Sequence, residues 1–565
     1  MYRTHYYIVH GADQSQFLIQ IKGLESGHIK IDPRQGEAWA WVARVRFRNG
    51  TPVNPTLQTR ESDPGENGGR IEIGSQAEPR IAHAQAKGAL TIDYRQTRRA
   101  LSLAVGSLLI AGCFSLLLII GRTPVISTWI SDPLFFKRCL VLHVDLALVV
   151  WFFAFAAGMY SLLPGDRFSH RAYKAGFTTA CSGVLAMIAG TLVPRTLPVL
   201  ANYVPVIDNP VYVLGLALFF GGLLICFINE RLFVTPTAVE THAGPSTWEP
   251  FHVTPDVATA LKTTALAYLV AMTTFMLSWA ATPRQLDPKS YYELVFWGGG
   301  HVLQVANVSA MLAGWLLLLS SKLRAPVLSP KQAQTLFAIL LAPHLSGPLL
   351  VLSGTMGGTY RLGFTRLMQF GIAPVVLVVL WISLRAVQGA WKRGELKRAD
   401  LLDGRVVGFA ASAALTLTGF VMGSSIRNSN TMIPAHYHAS IGAVTVTFMA
   451  LAYQLLAPLG FREPDTRMRR WIPWQLCAFG FGQVVFAMGF GLGGMHGLSR
   501  KAYGVEQHVR SWGEQAGLAI MALGGLVAVA GGLLFLMLML KSWRPLTCPA
   551  VTSLKLQPLT RTTTP

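Results

Sequence analysis

The sequence predicts an all-α integral membrane protein with about twelve spanning helices. Of its 565 residues, 52% are apolar and only 13% are charged, and the mean hydropathy is +0.42. A soluble protein would carry roughly twice that charged fraction. The apolar residues fall in blocks of about 20, the length that crosses a bilayer core of about 30 Å. Such continuous runs favour helices over a closed barrel.

The apolar blocks define the predicted domain organisation. They cover residues 100–121, 137–163, 171–193, 208–229, 257–281, 291–320, 335–357, 364–388, 405–425, 433–457, 471–493 and 516–541. We therefore predict a polar extension over 1–95, a twelve-helix domain over 96–545 and a cytoplasmic tail over 546–565. The extension has no signal-peptide pattern. Three interpretations stay open for it: a small appendage with a strand near 35–47, a disordered tail, or a start codon placed too far upstream.

The net charge of +21 indicates membrane orientation, not a nucleic-acid partner. Much of the Lys and Arg lies in loops: before the first predicted helix and after the second, eighth, tenth and twelfth. With twelve crossings all these loops lie on one side, which predicts cytoplasmic termini in a bacterial inner membrane. The basic pair Arg500 and Lys501 falls on the opposite side and needs a separate reason.

The six cysteines are scattered and form no Cys-x-x-Cys or Cys-x-x-x-Cys pair. This excludes a c-type haem attachment motif and a zinc ribbon. It also leaves the chain without a recognisable two-copper site for electron entry. Buried thiols of structural character are the simpler interpretation.

Five histidines within or at the edge of the predicted spans are the candidate functional residues: His143, His301, His344, His436 and His438. Ionisable residues inside a bilayer are costly and functional by default, although a single His can serve as a helix–helix hydrogen-bond donor. Residues i and i+2 of a helix point about 200° apart, so His436 and His438 can serve two cofactors. His143 and His438 lie at similar depth, as two axial ligands of one haem must, which leaves His436 for a second iron.

His301 and His344 belong to two successive predicted helices. Imidazoles from adjacent helices suit copper or non-haem iron. Each of these histidines is a weak signal alone, but their order relative to the other three strengthens the pattern.

Four segments carry a resemblance to a known family. HVDLALVVWFFAFAAGMYSLLP (143–164), FWGGGH (296–301) and IPAHYHASIGAVT (433–445) resemble helices two, six and ten of subunit I in the haem–copper oxidase superfamily. GMHGLSRKAY (494–503) resembles the loop after helix eleven, and is most similar to the B-type oxidases. The resemblance covers roughly residues 95–545 and implies a twelve-helix bundle of the subunit I type.

The resemblance implies a role for each candidate residue. His143 and His438 would ligate a low-spin haem, and His436 would be the proximal ligand of a high-spin haem. His301 and His344 would ligate a copper facing that haem. Arg500 and Lys501 would pair with haem propionates, the alternative being a solvent- or lipid-facing basic pair.

Two positions depart from the family pattern. The family usually has a His-His pair where this chain has Pro343-His344, so one copper ligand is missing or comes from elsewhere. Many oxygen reductases carry a Tyr four residues after the helix-six His, and here that residue is Val305. Nitric oxide reductases need no such Tyr but often place a Glu near the second metal. In that region the chain offers Gln304, Asn307 and, two turns before His301, Glu293, which is too distant to ligate.

The expected function is that of a terminal respiratory oxidase subunit reducing O₂ to water, with proton translocation left open. The alternatives are a nitric oxide reductase-like enzyme with non-haem iron, or a haem-binding membrane protein without the second metal. Electrons would come from a partner subunit bearing copper or c-type haem, or from quinol. Further oxidase subunits and the lipid bilayer complete the expected partners.

Other polar residues in the spans have two interpretations each. Asp145 would bond a haem substituent or an adjacent helix. A second group would line a proton path or bond backbone within the helices: Lys262, Thr263, Thr264, Tyr268, Ser346 and Ser353.

Overall fold

The computed structural model describes residues 4–10, 16–22, 92–120, 132, 134–233, 253–462, 464–500, 509 and 511–543. The chain divides into two units, residues 1–87 with 242–250, and residues 88–241 with 251–565. In the first unit, strands β1 (Thr4–His10) and β2 (Gln16–Lys22) pair antiparallel, with Thr4 opposite Lys22 and His10 opposite Gln16. The possible strand at 35–47 and the predicted tail lie outside the described ranges, and the predicted division at residue 95 stays a prediction.

The second unit is mostly helical. Its first half contains α1 (Tyr94–Ile120), α2 (Phe135–Val144), a π-helical turn (Asp145–Val150), α3 (Trp151–Tyr160), α4 (Arg167–Thr191), β3 (Leu197–Val199), β4 (Val206–Asp208), α5 (Pro210–Phe227), a 3₁₀ turn (Glu230–Leu232), α6 (Pro255–Ala281) and α7 (Pro288–Leu323). Its second half contains α8 (Pro330–Leu341), a 3₁₀ turn (Ala342–Ser346), α9 (Gly347–Val351), α10 (Gly358–Gly371), α11 (Ala373–Lys392), a 3₁₀ turn (Arg398–Leu402), α12 (Gly404–Ser424), α13 (Met432–Leu455), α14 (Thr466–Arg469), α15 (Trp471–Met495) and α16 (Trp512–Ser542).

Every one of the twelve predicted apolar segments coincides with helix, some of them interrupted by a π or 3₁₀ turn. Within the described residues, eleven helical segments are long and apolar enough to cross a membrane. The prediction of a multi-pass helical membrane protein is therefore confirmed. The segment outside those eleven is α4, whose first two turns carry Arg167, Arg171 and Lys174 and dilute its apolar character. The count of twelve crossings stays a prediction.

Helix starts are marked by side chains that accept hydrogen bonds from free backbone N–H groups. Asp166 caps α4, Asn209 caps α5 and Asp287 caps α7, each accepting from the N–H three residues later. Ser329 begins α8 and Ser511 begins α16, both as capping boxes. Because such caps satisfy donors that the helix leaves unpaired, they define where each helix begins.

In each of two helix pairs, the two helices approach each other closely along a stripe of glycines. In α4 and α5 these are Gly176, Gly183 and Gly190 facing Gly215 and Gly222, and in α15 and α16 they are Gly482 and Gly489 facing Gly517, Gly524 and Gly531. A Cβ at Gly183 would lie 2.4 Å from the backbone nitrogen of Phe219. Small residues at a repeated spacing let backbones touch, which is how helices associate where lipid supplies no hydrophobic drive.

Burial separates the helices that carry most of the candidate histidines from the others. Of the 18 most apolar consecutive residues in each span, 72% are buried in Phe135–Tyr160, 89% in α7 and 78% in α13. In the other described spans at most 50% are buried. These three spans hold His143, His301, and the pair His436 and His438. The exception is His344, which lies on the peripheral span Pro330–Val351.

A buried arginine outside the spans connects four chain segments. Arg231 is fully buried and donates from Nε to the Leu163 carbonyl at 3.0 Å. Its Nη2 atom lies 3.0 Å from Gln96 Oε1 and 3.0 Å from His170 Nδ1. One guanidinium therefore ties together the ends of α1, α3, α4 and α5.

We expect Arg231→Ala to lower the free energy of unfolding by about 3 kcal/mol, because buried acceptors lose their donor at about 1–3 kcal/mol each. Thermal melting of the detergent-solubilised protein measures this. Arg398→Ala, at an exposed arginine of the 3₁₀ turn 398–402, is the control and should melt as the unsubstituted protein does. Equal melting of the two variants would contradict the assignment.

Candidate cofactor and metal site

The two histidines of α13 contact different neighbours. Nδ1 of His436 lies 2.7 Å from the Gly419 carbonyl of α12, and a Cβ at Gly423 would lie 2.7 Å from the same nitrogen. His438 packs instead against α15, with ring centroids 4.8 Å from Phe486 and 5.7 Å from Phe490. One helix thus presents two imidazoles to two separate surroundings.

His143 lies at the end of α2, where its Nδ1 is 2.8 Å from the Ala111 carbonyl of α1. A π-helical turn follows immediately, and such turns occur often at functional sites. With a rise of 1.5 Å per residue, His143 lies about 12 Å from the start of α2 and His438 about 9 Å from the start of α13. The two side chains therefore lie at comparable distances from the starts of their helices.

His301 is held on both sides of its ring. Nδ1 is 2.7 Å from the Trp297 carbonyl one turn earlier, and Nε2 is 2.9 Å from the hydroxyl of Tyr203. A carbonyl can only accept, so Nδ1 carries the proton and Nε2 of the neutral ring accepts from Tyr203. The aromatic rings of Trp297 and Tyr203 each have their centroid 4.7 Å from that of His301.

His344 lies in the 3₁₀ turn Ala342–Ser346 and is buried. Its Nδ1 is 2.9 Å from the Leu340 carbonyl, and within the described part of the chain its buried Nε2 has no hydrogen-bond partner. A Cβ at Gly371 would lie 2.6 Å from Cε1 of this ring, so α10 closes tightly over it. Phe364 of the same helix has its ring centroid 6.1 Å from that of His301, so α10 contacts both histidines.

Four of the five histidines thus share one arrangement: His143, His301, His344 and His436 each place Nδ1 against a backbone carbonyl. This bond places the ring proton on Nδ1 and leaves the lone pair of Nε2 to bind a metal ion, as in histidines that bind metal. The arrangement is compatible with coordination of a metal ion through Nε2. In the part of the chain that the structure describes, no three His, Cys, Asp or Glu side chains come together.

Tyr203 is a functional candidate that the sequence analysis missed. It lies in the loop between β3 and β4, 98 residues before His301, with a left-handed φ of 71°. Glu293 of α7 accepts hydrogen bonds from the backbone N–H and the side chain of the preceding Asn202. Burial, reinforced by the charge of Glu293, raises the pKa of Tyr203, so its phenol is protonated and donates.

The run of three glycines before His301 contained the signal for this contact. A Cβ at Gly300 would lie 2.5 Å from the Tyr203 ring, and one at Gly299 would lie 2.2 Å from the Phe275 ring. One at Gly298 would lie 2.8 Å from the Tyr360 hydroxyl. Each glycine therefore admits an aromatic side chain from a different element, which a sequence pattern alone does not specify.

Asp145 bonds an adjacent helix, one of its two expected interpretations. It is fully buried, and its Oδ2 accepts from the Tyr212 hydroxyl of α5 at 2.5 Å. The other oxygen, Oδ1, has no hydrogen-bond partner among the described residues. The carboxyl group therefore joins the π turn to α5.

The hydroxyls of the suggested proton path bond backbone carbonyls. Those of Thr263, Thr264, Ser346 and Ser353 donate within their own turn, and that of Tyr268 donates to Phe220. This is the structural alternative. Asn307 donates to Gln304 along α7 at 3.4 Å.

The loop after α15 reaches the start of the helix that carries His436 and His438. The Thr431 N–H donates to the Leu498 carbonyl at 3.0 Å, and Asn430 pairs with Ser499. Arg500 follows directly and is partly buried. Lys501, the second candidate of this pair, lies outside the described ranges.

Comparison with known proteins supports the fold. The chain superposes on a heme–copper terminal oxidase dimer structure solved by cryo-electron microscopy, with a TM-score of 0.58 and 15% identity over 80% of this chain and 84% of that one. The chain therefore shares its fold with that structure.

Two relatives in sequence are both uncharacterized proteins. One from Aquifex aeolicus (strain VF5) is 29% identical over 372 residues, 66% of this chain and 87% of that protein. One from Rickettsia prowazekii (strain Madrid E) is 24% identical over 500 residues, 77% of this chain and 93% of that protein. No family model matches the chain.

Proposed function

We propose that the chain is the catalytic subunit of a haem–copper oxidoreductase that reduces O₂ to water. His143 and His438 would hold a low-spin haem, His436 a high-spin haem, and His301 and His344 a copper ion. When bound, these groups supply electron transfer and the reduction of O₂. The observation that carries the proposal is the shared Nδ1-to-carbonyl bond, which presents Nε2 of four histidines inside a bundle of this fold.

The protein's own residues hold these groups and keep them apart from water. The Gly419 and Ala111 carbonyls orient the rings of His436 and His143. Phe486 and Phe490 enclose His438 in an apolar environment. Arg500, with Lys501, would neutralise haem propionates on the outer side, which gives a reason for a basic loop there.

The basic loops and the cysteines indicate where the enzyme would lie and how electrons would reach it. We propose a bacterial inner membrane with both termini cytoplasmic, from the distribution of basic loops. Electrons would come from a partner subunit with copper or c-type haem, or from quinol, because the cysteines form no entry site. Other oxidase subunits would complete the complex.

Two observations favour alternatives. Val305 is fully buried where many oxygen reductases carry a Tyr, and this favours a nitric oxide reductase-like enzyme with non-haem iron. No three His, Cys, Asp or Glu side chains meet in the described ranges, which favours a haem protein without a second metal.

The metal content of the purified membrane complex separates these functions. We expect one copper per two haem irons, because the two buried imidazoles of His301 and His344 suit copper. Three irons without copper would indicate the nitric oxide reductase-like enzyme. Two haem irons and no further metal would contradict both enzymes. The double variant His301→Ala, His344→Ala is the matched control, which should keep the haems and lose the other metal.

A further inference from the structure

We propose that Tyr203 is the third protein donor of the second-metal site, binding through its phenolate oxygen beside His301 and His344. The proposal rests on the function proposed above. It concerns the ligand that the chain lacks at Pro343, where the resembled family has a histidine. The three donors would be two imidazole nitrogens and one phenolate oxygen, a set suited to copper(II) or iron(III).

The Tyr203 hydroxyl lies close enough to His301 for one metal ion to bind both side chains. The Tyr203 hydroxyl oxygen lies 2.9 Å from His301 Nε2. Bonds from a metal ion to nitrogen or oxygen donors are about 2.0–2.2 Å long, so one ion can bind both atoms at this separation. The ion would take the place of the phenolic proton, which leaves to solvent, and no electron is transferred. A bound cation makes this loss of the proton favourable.

The buried Nε2 atom of His344 is a second, independent observation. This atom has no hydrogen-bond partner among the residues that the structure describes, although Nδ1 of the same ring is already bonded to the Leu340 carbonyl. A buried polar atom left unpaired is destabilising, so a native structure that retains one calls for an explanation. The lone pair of a ligand nitrogen is such an explanation, and α10, which closes over this ring at Gly371, also places Phe364 6.1 Å from His301 between ring centroids.

Contacts with α7 hold Tyr203 in place beside His301. The loop carries a non-glycine residue at a φ of 71°, a strained conformation that persists only when its surroundings impose it. Asn202 is bonded to Glu293, and Tyr292 donates to Asp208 at 2.8 Å, so α7 fastens the hairpin at two points. Gly300 then leaves room for the Tyr203 ring against His301. A side chain positioned to this degree is typical of a site residue.

Tyr203→Phe tests the proposal in the full-length purified protein. We expect the variant to bind its non-haem metal at least tenfold more weakly in a titration with copper(II), and to lack the phenolate-to-metal absorption band of the oxidised protein. Its haem spectrum should be unchanged. Tyr203→His, which restores a donor at the position, should recover the metal but not the band.

Tyr292→Phe is the matched control, because it removes a hydroxyl that donates to Asp208 of the same hairpin and not to His301. It should keep both metal and band. If Tyr203→Phe binds copper(II) as the unsubstituted protein does, with the same spectrum, Tyr203 is not a ligand and the proposed function stands. If the unsubstituted protein keeps its haems but binds no copper(II) or iron, both this inference and the second metal of the proposed function are wrong.

Discussion

Replacing His143 with alanine should remove one of two haems from the purified protein. In the proposed function His143 and His438 would together hold the low-spin haem, so loss of either would release it or weaken its binding. The change also deprives the Ala111 carbonyl of its 2.8 Å partner, at a cost of only about 1 kcal/mol. The protein should therefore fold while its haem content falls from two to one per chain.

Haem content per chain, together with the reduced-minus-oxidised spectrum, measures this effect. The low-spin bands should disappear in His143→Ala, whereas His436→Ala should remove the high-spin signal and keep them. Tyr437→Phe, on the same helix but with a side chain that is 43% exposed, should retain both haems. Two intact haems in His143→Ala would show that this residue is not a ligand.

The second large effect is expected where α15 and α16 touch. Alanine normally stabilises a helix by roughly 0.5–1 kcal/mol relative to glycine. At Gly489, however, a Cβ would lie 2.2 Å from the Met521 backbone nitrogen and 2.6 Å from the Gly517 carbonyl. Backbone cannot move aside as a flexible side chain does, so we expect Gly489→Ala to destabilise the protein by about 3 kcal/mol or to prevent folding.

Gly532→Ala is the control on the same helix pair, because a Cβ there meets nothing within 4 Å. Thermal melting followed by size-exclusion chromatography compares the two variants. Gly532→Ala should melt at or slightly above the temperature of the unsubstituted protein. A Gly489→Ala variant that melts equally high would mean that the helices are further apart than the structure has them.

Local composition was sufficient to predict the helices. Each predicted apolar segment is helical, since a run of about 20 apolar residues has few other ways to satisfy its backbone in lipid. The weakest prediction was α4. Its basic first turns and glycine stripe lower its hydropathy, because the helix packs closely on α5 and is not selected for apolar character alone.

Spacing along one helix predicted less of the candidate site. The separation of His436 and His438 onto different neighbours follows from helix geometry and could be read from two residues. The contact of His301 with Tyr203 could not, because it joins residues 98 apart through a loop of unusual φ. The glycines at 298–300 indicated close neighbours without indicating which ones.

Hydropathy and helical period are local properties, and they were enough to predict a multi-pass helical bundle with histidines inside it. Which atoms those histidines present depends on contacts between elements that are distant in the chain. Carbonyls of other turns and helices set their tautomers, and a hairpin outside the spans brings Tyr203 to Nε2 of His301. Such contacts depend on how helices pack, and packing is determined by the whole chain at once.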